Sequence, residues 1–397
     1  MLVVTPYLPS PPRFGGQQRM HALLSGLAAR TELTLLSLVD PADDTREGLA
    51  ATRAYCREVV TVPSARAARK RLWQLAASAS PWSYERLTTA LPALQHALDE
   101  LLARRAYDLV QLEFVHTAGL SVRGRAAVCL DEHNVEYEIL FRTARAASGA
   151  LRRAYDALDG LKIRAEERAA WARVDGCALT SARDERTVLR AAPRARTVVV
   201  PNGVDVDFFR PTDPAAREPS TLLFFGAMDY FPNTDGALFF AREVLPLVVA
   251  RRPETKLLVV GRRPPEAVTA LRGANVEVLG AVDDLRPWLA RATALVVPLR
   301  IGGGTRLKIL EAMAAGKAVV STSLGAEGLD VVRGRDLLVA DGAAGLAGEV
   351  LRVLDSPDLA TRLGGAARIA AQRYRWSTSV DRLAAFHDEL VSARRAR

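Results

Sequence analysis

The sequence predicts an α/β protein of two doubly wound domains, each a parallel sheet with helices on both faces. Three observations carry this. The chain has 397 residues, too many for one compact core at roughly 150–200 residues per domain. Short β-branched runs alternate with amphipathic stretches along most of its length, as parallel strands joined by crossover helices require. The alternation stops once, at 201–219, and then resumes.

The first series opens with LVVT (2–5), a Gly15-Gly16 turn and a helix from Gln17 to Arg30. LTLLSLV (33–39), EVVTV (58–62), DLVQLEF (108–114), AAVCL (126–130), GCALT (176–180) and RTVVV (196–200) continue it. Continuous apolar strands with helices between them predict a Rossmann-like domain over 1–195. Residues 201–219 hold four prolines and one glycine without periodicity, so 196–219 reads as a hinge. TLLFF (221–225), KLLVV (256–260), NVEVL (275–279), TALVVP (293–298) and AVVST (318–322) then form the second series, with helices notably at 234–251 and 305–315. They predict a second Rossmann-like domain over 220–370. Within the tail, 371–397, residues 376–393 carry apolar positions at helical spacing, expected to pack back toward the N-terminal domain. Ligands of such sheets sit at the carboxyl ends of the strands, so the two domains are expected to face a central cleft where two substrates meet.

Apolar residues make up 49% and charged residues 25% of the chain, which excludes disorder, collagen-like repeats and coiled coil. No uncharged apolar run approaches the ~18–20 residues of a membrane span, and MLVVTPYLPS lacks the features of a signal peptide. Cys56, Cys129 and Cys177 are scattered, matching neither a disulfide framework nor a zinc pattern. A cytoplasmic protein is expected. The net charge of +9 comes from 54 basic against 45 acidic residues. Part of that excess reflects an Ala- and Arg-rich composition; the rest favours sugar nucleotides, membrane surfaces or nucleic acid. ARAARKRLWQL (65–75) and FRTARAASGALRRAY (141–155) mix basic and apolar residues. Each reads as a solvated helix face or as a contact with the inner face of an anionic membrane. Trp73 and Trp82 fit that surface or the core.

The most informative stretch is GGGTRLKILEAMAAGKAVVST, 302–322. Gly302, Gly303 and Gly304 let backbone N–H groups approach an oxyanion, and Thr305 is a good N-cap for the helix that follows. A glycine-rich turn feeding a helix N-terminus is a phosphate site. Arg306 and Lys308 sit unfavourably in the first helical turn, where a bound anion would compensate them. Glu311, six residues after Thr305, suits a ribose diol. The alternative is an ordinary βα turn with solvated basic residues; GxGxxG is absent.

Residues 302–330 resemble the donor-site signature of retaining GT-B glycosyltransferases of family 4. PNGVD (201–205), TLLFFG (221–226), PNTDG (232–236), the Gly15-Gly16 loop, YDLV (107–110), DEHN (131–134) and EERAAWARVDGCALTSARDE (166–185) resemble further elements of that family in the same order. The resemblance implies a GT-B hexosyl- or glycosyltransferase. It would move a sugar from a nucleoside-diphosphate sugar, UDP- or GDP-linked first among donors, with the anomeric configuration kept. It implies no metal and no cofactor beyond that co-substrate, the donor on the C-terminal domain and a glycan or lipid-linked acceptor on the N-terminal one. Two departures stand out. Gly303 occupies the place of the first of the family's two glutamates, Glu311 matching the second; Ala227 and Asn233 replace an Arg and a Lys after the first C-terminal strand. Arg306 and Lys308 are expected to supply the missing charge, and Gly226 to border the diphosphate.

In the N-terminal half, Gly15 and Gly16 fit a close backbone approach to donor phosphate and acceptor, with Gln17 and Arg19 as weaker cleft candidates; the bland reading is a tight turn. His133, at the end of a strand, fits a hydrogen bond to a sugar hydroxyl or to the transferring group, against a structural loop histidine. Glu132, Asn134, Glu136 and His116 are candidate acceptor contacts, and Glu113 either cleft or core. His21, His96 and His387 fall in amphipathic helices, on the surface or in the core. No acid–base pair stands out, as expected of front-face displacement, in which positioning and charge stabilisation dominate. Alternatives are a GT-B protein that binds a nucleotide sugar without turnover and a GT-B sugar-nucleotide epimerase, which the 302–330 pattern disfavours. A nucleic-acid-binding protein would carry a recognition motif, and none is present.

Overall fold

The computed structural model describes residues 1–41, 45–64, 70–89, 91–147, 149–211 and 216–396. They form two compact units, Met1–Pro201 with Ser379–Arg397, and Asn202–Thr378.

The first unit is built on a parallel sheet of β1 (Leu2–Thr5), β2 (Thr34–Val39), β3 (Glu58–Pro63), β4 (Leu109–Glu113), β5 (Ala127–Glu132), β6 (Gly176–Leu179) and β7 (Thr197–Val199). Their order is β3-β2-β1-β4-β5-β6-β7. The chain reverses its direction of growth between β1 and β4, the switch point where such sheets bind ligands. Strand periodicity sorts the core: Leu2, Val4, Leu36 and Leu112 join one apolar layer with Leu94 and Leu98. Val3 and Leu35 join the opposite layer with Met20 and Leu24. Helix Gly15–Ala28 begins at the glycine pair, so Gly15 and Gly16 form a first helical turn rather than the expected loop. Strand β7 completes this sheet, so the boundary placed at 195 cuts off a strand of the first unit. Helix Trp376–Arg395 brings Phe386 and Leu390 against Leu109, Ala127 and Cys129.

The second unit holds β8 (Thr221–Phe225), β9 (Lys256–Val260), β10 (Val276–Gly280), β11 (Ala294–Val297), β12 (Ala318–Ser321) and β13 (Leu338–Val339), parallel and in the order β10-β9-β8-β11-β12-β13. The two residues of β13 are too few to show a period. The helix expected at 234–251 is divided: Phe231–Phe239, a wider turn at Phe240–Val244, and Leu245–Val249. Pro246 cannot donate a helical hydrogen bond, and the wide turn precedes it. PNGVD packs on the end of this unit, where Val204 N–H donates to the Tyr374 carbonyl at 2.7 Å. Among the described residues, no helix is long and apolar enough to cross a membrane.

Candidate functional site

In the second unit, the glycine loop after β11 leads into helix Leu307–Ala314. Gly302 (φ 121°) and Gly304 (φ 67°) take positive φ, conformations that other residues adopt at a cost. This curl makes Arg306, not Thr305, the last residue before the helix, which corrects the expected N-cap. The Thr305 hydroxyl is buried without a hydrogen-bond partner, and its carbonyl accepts from Asn202 Nδ2 at 3.3 Å. Arg306 folds back over its own loop, Nη1 donating to the Gly304 carbonyl at 2.8 Å.

Lys308 reaches toward the end of β8. Its Nζ donates to Asn233 Oδ1 at 2.7 Å and lies 4.6 Å from the centre of the Phe224 ring. Asn233 in turn donates from Nδ2 to the Ala227 carbonyl at 2.8 Å. Gly226 (φ 149°) makes room: a Cβ there would stand 2.9 Å from Lys308 Nζ and 2.8 Å from Asn233 Nδ2. Lys308 keeps some exposure, yet the atoms around its ammonium, aided by Arg306, push its pKa down to about 7 against the pull of Glu311. Glu311 is itself 8% exposed. The structure thus brings Gly226, Gly302, Arg306 and Lys308 to the carboxyl edge of one sheet, with Asn233 as the residue that holds the lysine. Asn233 stood out in the sequence only as a missing cation.

In the first unit, β4 and β5 end beside each other and carry Glu113, Asp131 and His133. His133 Nε2 lies 2.7 Å from Glu113 Oε2, whose other oxygen accepts from Gln111 Nε2 at 2.5 Å. Burial and the neighbouring Asp131 push the Glu113 pKa up, against the His133 hydrogen bond. Asp131 forms a buried bidentate pair with Arg19, at 2.6 and 3.0 Å, and Arg19 also donates to the Val200 carbonyl at 2.8 Å. Phe114, at φ +64°, lays its ring on His133 with centroids 3.7 Å apart. At Gly16 a Cβ would meet Tyr7 Oη at 2.4 Å and Phe114 Cζ at 3.1 Å, so the glycine turn, Tyr7, Phe114 and His133 are contiguous. Glu113, Asp131 and His133 offer ligand atoms within 4.8 Å of one another. In that set Arg19 already supplies positive charge to Asp131.

Other expectations separate here. Glu132 is 1% exposed and accepts from Trp171 Nε1 at 3.0 Å, so its carboxylate is a core group and not an acceptor contact. β5 runs two residues beyond the expected strand, and alternation puts Glu132 on the face of Leu130, against Trp171. Asn134 donates to Glu136 at 3.1 Å. His116 pairs with Glu85 at 3.4 Å and lines a cavity with Ser83, Arg86 and Arg173. His21 Nδ1 meets Ser10 Oγ at 2.8 Å, His96 is exposed beside Glu100, and His387 is buried. Of the basic stretch 65–75, residues 65–69 lie outside the described residues. Asp131 was legible only as the neighbour of His133, and Arg19 only as a weak candidate; no local pattern pairs them.

The family comparison falls on the second unit. Residues 219–356 match the family model of glycosyl transferases group 1. The match contains Gly226, Asn233, Arg306, Lys308 and Glu311. Over 210 residues the chain is 32% identical to a phosphatidyl-myo-inositol mannosyltransferase of Mycobacterium tuberculosis, covering 49% of this chain and 55% of that protein. The chain spans about half the length of the curated relatives it matches. Its structure resembles sucrose-phosphate synthase from Thermosynechococcus elongatus, with a TM-score of 0.74, 19% identity and 99% of each chain covered. It also resembles Anabaena HepE solved with UDP and glucose, with a TM-score of 0.69, 14% identity, and 97% of this chain and 98% of that one covered. These are likenesses of fold, and the fold is that of the GT-B glycosyltransferases.

Proposed function

We propose that the protein is a retaining family 4 glycosyltransferase that moves a sugar from a nucleoside-diphosphate sugar to an acceptor hydroxyl without a metal ion. The observation that carries this reading is the Lys308 ammonium held 2.7 Å from Asn233 Oδ1 beside Gly226. The cation comes from the first turn of helix Leu307–Ala314, after the glycine loop, and reaches Asn233, one of the two positions at which the resemblance expects a cation. Lys308 and Arg306 bind the diphosphate, with backbone of Gly302–Gly304 and the Thr305 hydroxyl beside it. Glu311 receives the ribose hydroxyls. In the first unit, His133, held by Glu113, offers a hydrogen bond to a sugar hydroxyl or transferring group, and the Gly15-Gly16 turn offers its backbone to the acceptor.

As the bond from the anomeric carbon to the diphosphate oxygen breaks, the acceptor oxygen bonds to the same face of that carbon. Its proton passes to the departing diphosphate, whose charge the two cations stabilise. UDP and GDP are the leading donor nucleotides; HepE was solved with UDP. The name of the mycobacterial relative describes a lipid acceptor, which supports a glycolipid, polysaccharide or glycoconjugate acceptor met at the inner face of the cell membrane.

The test is a thermal-shift panel of UDP, GDP, ADP and TDP in EDTA, followed by NMR of the product anomer. A ligand at ~100 times its Kd adds about 2.7 kcal/mol, several degrees of Tm. One nucleotide that stabilises the protein in EDTA, and a product with the donor's anomeric configuration, are expected. Stabilisation without turnover on any acceptor would leave a nucleotide-sugar-binding protein; no stabilisation by any nucleotide would overturn the donor site.

A further inference from the structure

Helix Ala150–Arg173 reverses the usual charge arrangement of a surface helix. Its solvent face is apolar: Leu151 is 89% exposed, and Leu158 and Leu161 are exposed in line with it, with Ala154 between the first two and Ala165 one turn beyond the last. Steps of seven and three residues keep the three leucines on one side of a helix. All its acidic residues turn away. Asp156, Asp159 and Glu167 are buried, and Glu166 accepts from the Ser83 hydroxyl at 2.6 Å. Arg152 is held by Asp156 through Nε at 2.6 Å, while Arg153 and Arg168 are exposed beside the leucines.

The neighbouring helix Lys70–Ala79 also presents apolar residues to solvent. That helix packs alongside through the Ala77 carbonyl, which accepts from Lys162 Nζ, and it exposes Leu72 and Leu75; Trp82 beyond it is exposed too. Isolated apolar residues on a surface are ordinary, but a row of exposed leucines flanked by cations marks an interaction surface.

We propose that this face of the first unit docks on an anionic lipid membrane, which rests on the reading that the acceptor is lipid-linked. Leucines and Trp82 enter the boundary between headgroups and acyl chains, while the arginine stems lie along it and their guanidinium groups meet lipid phosphates. A second copy of the chain fits less well. A two-fold contact would bring the Arg153 and Arg168 rims of two copies together, with Asp156 already paired to Arg152 and the other helix acids turned away.

The experiment is co-sedimentation of the full chain with vesicles of phosphatidylcholine alone and with about 30% phosphatidylglycerol. Binding is expected to be at least about ten-fold tighter to the anionic vesicles, since each cation at such a surface contributes about five-fold, and to weaken with salt. Leu151→Ser with Leu158→Ser and Leu161→Ser, and separately Arg153→Glu with Arg168→Glu, should each weaken it by about ten-fold or more. Their Tm and their nucleotide binding in solution should stay as in the parent, because the changed side chains are exposed. Loss of nucleotide binding in a Lys308 variant that still binds vesicles would separate the two readings. Equal binding to both vesicle types, or a dimer in light scattering that Leu151→Ser dissociates, would overturn the proposal.

Discussion

Lys308 and Asn233, 75 residues apart in sequence, meet at 2.7 Å, and this contact carries a cation from the helix after β11 to the helix after the neighbouring strand β8. The Phe224 ring beneath it and the space left by Gly226 make the placement specific.

Removing either part should therefore weaken donor binding. Lys308→Ala should raise the nucleotide Kd by about ten- to a hundred-fold, the range of a charge-assisted bond of about 1.5–3 kcal/mol. Gly226→Ala should do the same by displacing the ammonium and should cost about 1–3 kcal/mol of stability through its positive φ. Calorimetric titration with the stabilising nucleotide checks both; an unchanged Kd in Lys308→Ala would remove this lysine from the site.

The depressed pKa of Lys308, about 7, has a definite sign. The protonated form binds the diphosphate, so the free protein must take up a proton on binding above pH 7, and affinity should fall as pH rises from about 7 to 9. Titrations in buffers of different ionisation heat measure that uptake. Proton uptake that persists in Lys308→Ala would assign it to another group.

His133 depends on Glu113 for its orientation. His133→Ala should lower kcat by about a hundred-fold, the usual scale for a positioned proton-handling or polarising side chain. Glu113→Gln should lower it less and shift the pH profile, with nucleotide Kd unchanged in both. A Glu113→Gln enzyme with the parent's kcat and pH profile would reduce that carboxylate to a structural part.

Three carboxylates of the first unit share a buried region. Burial pushes Glu132 to about 8 and Glu136 to about 7, and Glu167 well above its ordinary value. Folded values above the unfolded one mean stability that is complete below about pH 4.5 and is lost as pH rises through 7–8. Tm should drop between about pH 4.5 and 8, together with a change in Trp171 fluorescence as Glu132 ionises near the top of that range, since that indole donates to Glu132. Glu136→Gln should flatten the drop; identical profiles in parent and variant would refute the assignment.

Arg19 and Asp131 form a wholly buried ion pair. Arg19→Ala leaves the carboxylate uncompensated and should cost about 3–5 kcal/mol, whereas Arg19→Leu with Asp131→Leu should recover most of that. Chemical denaturation of both variants decides it: equal losses would mean the charge itself is not what matters.

The sequence by itself determined the two parallel sheets, most strands to within a residue or two, and the glycine loop ahead of its helix. Those features rest on local physics, namely the period of apolar residues and the conformational demands of glycine and proline. It was less certain at the ends of elements, where one residue changes the outcome. Extending β5 to Glu132 buried that side chain and left His133 as the group at the strand's end. The curl through Gly302 and Gly304 moved the cap from Thr305 to Arg306. The pairings that make chemistry possible, Lys308 with Asn233, His133 with Glu113 and Arg19 with Asp131, belong to the tertiary structure alone. Each joins residues at least 20 positions apart, and only the order in which the strands pack brings their ends together.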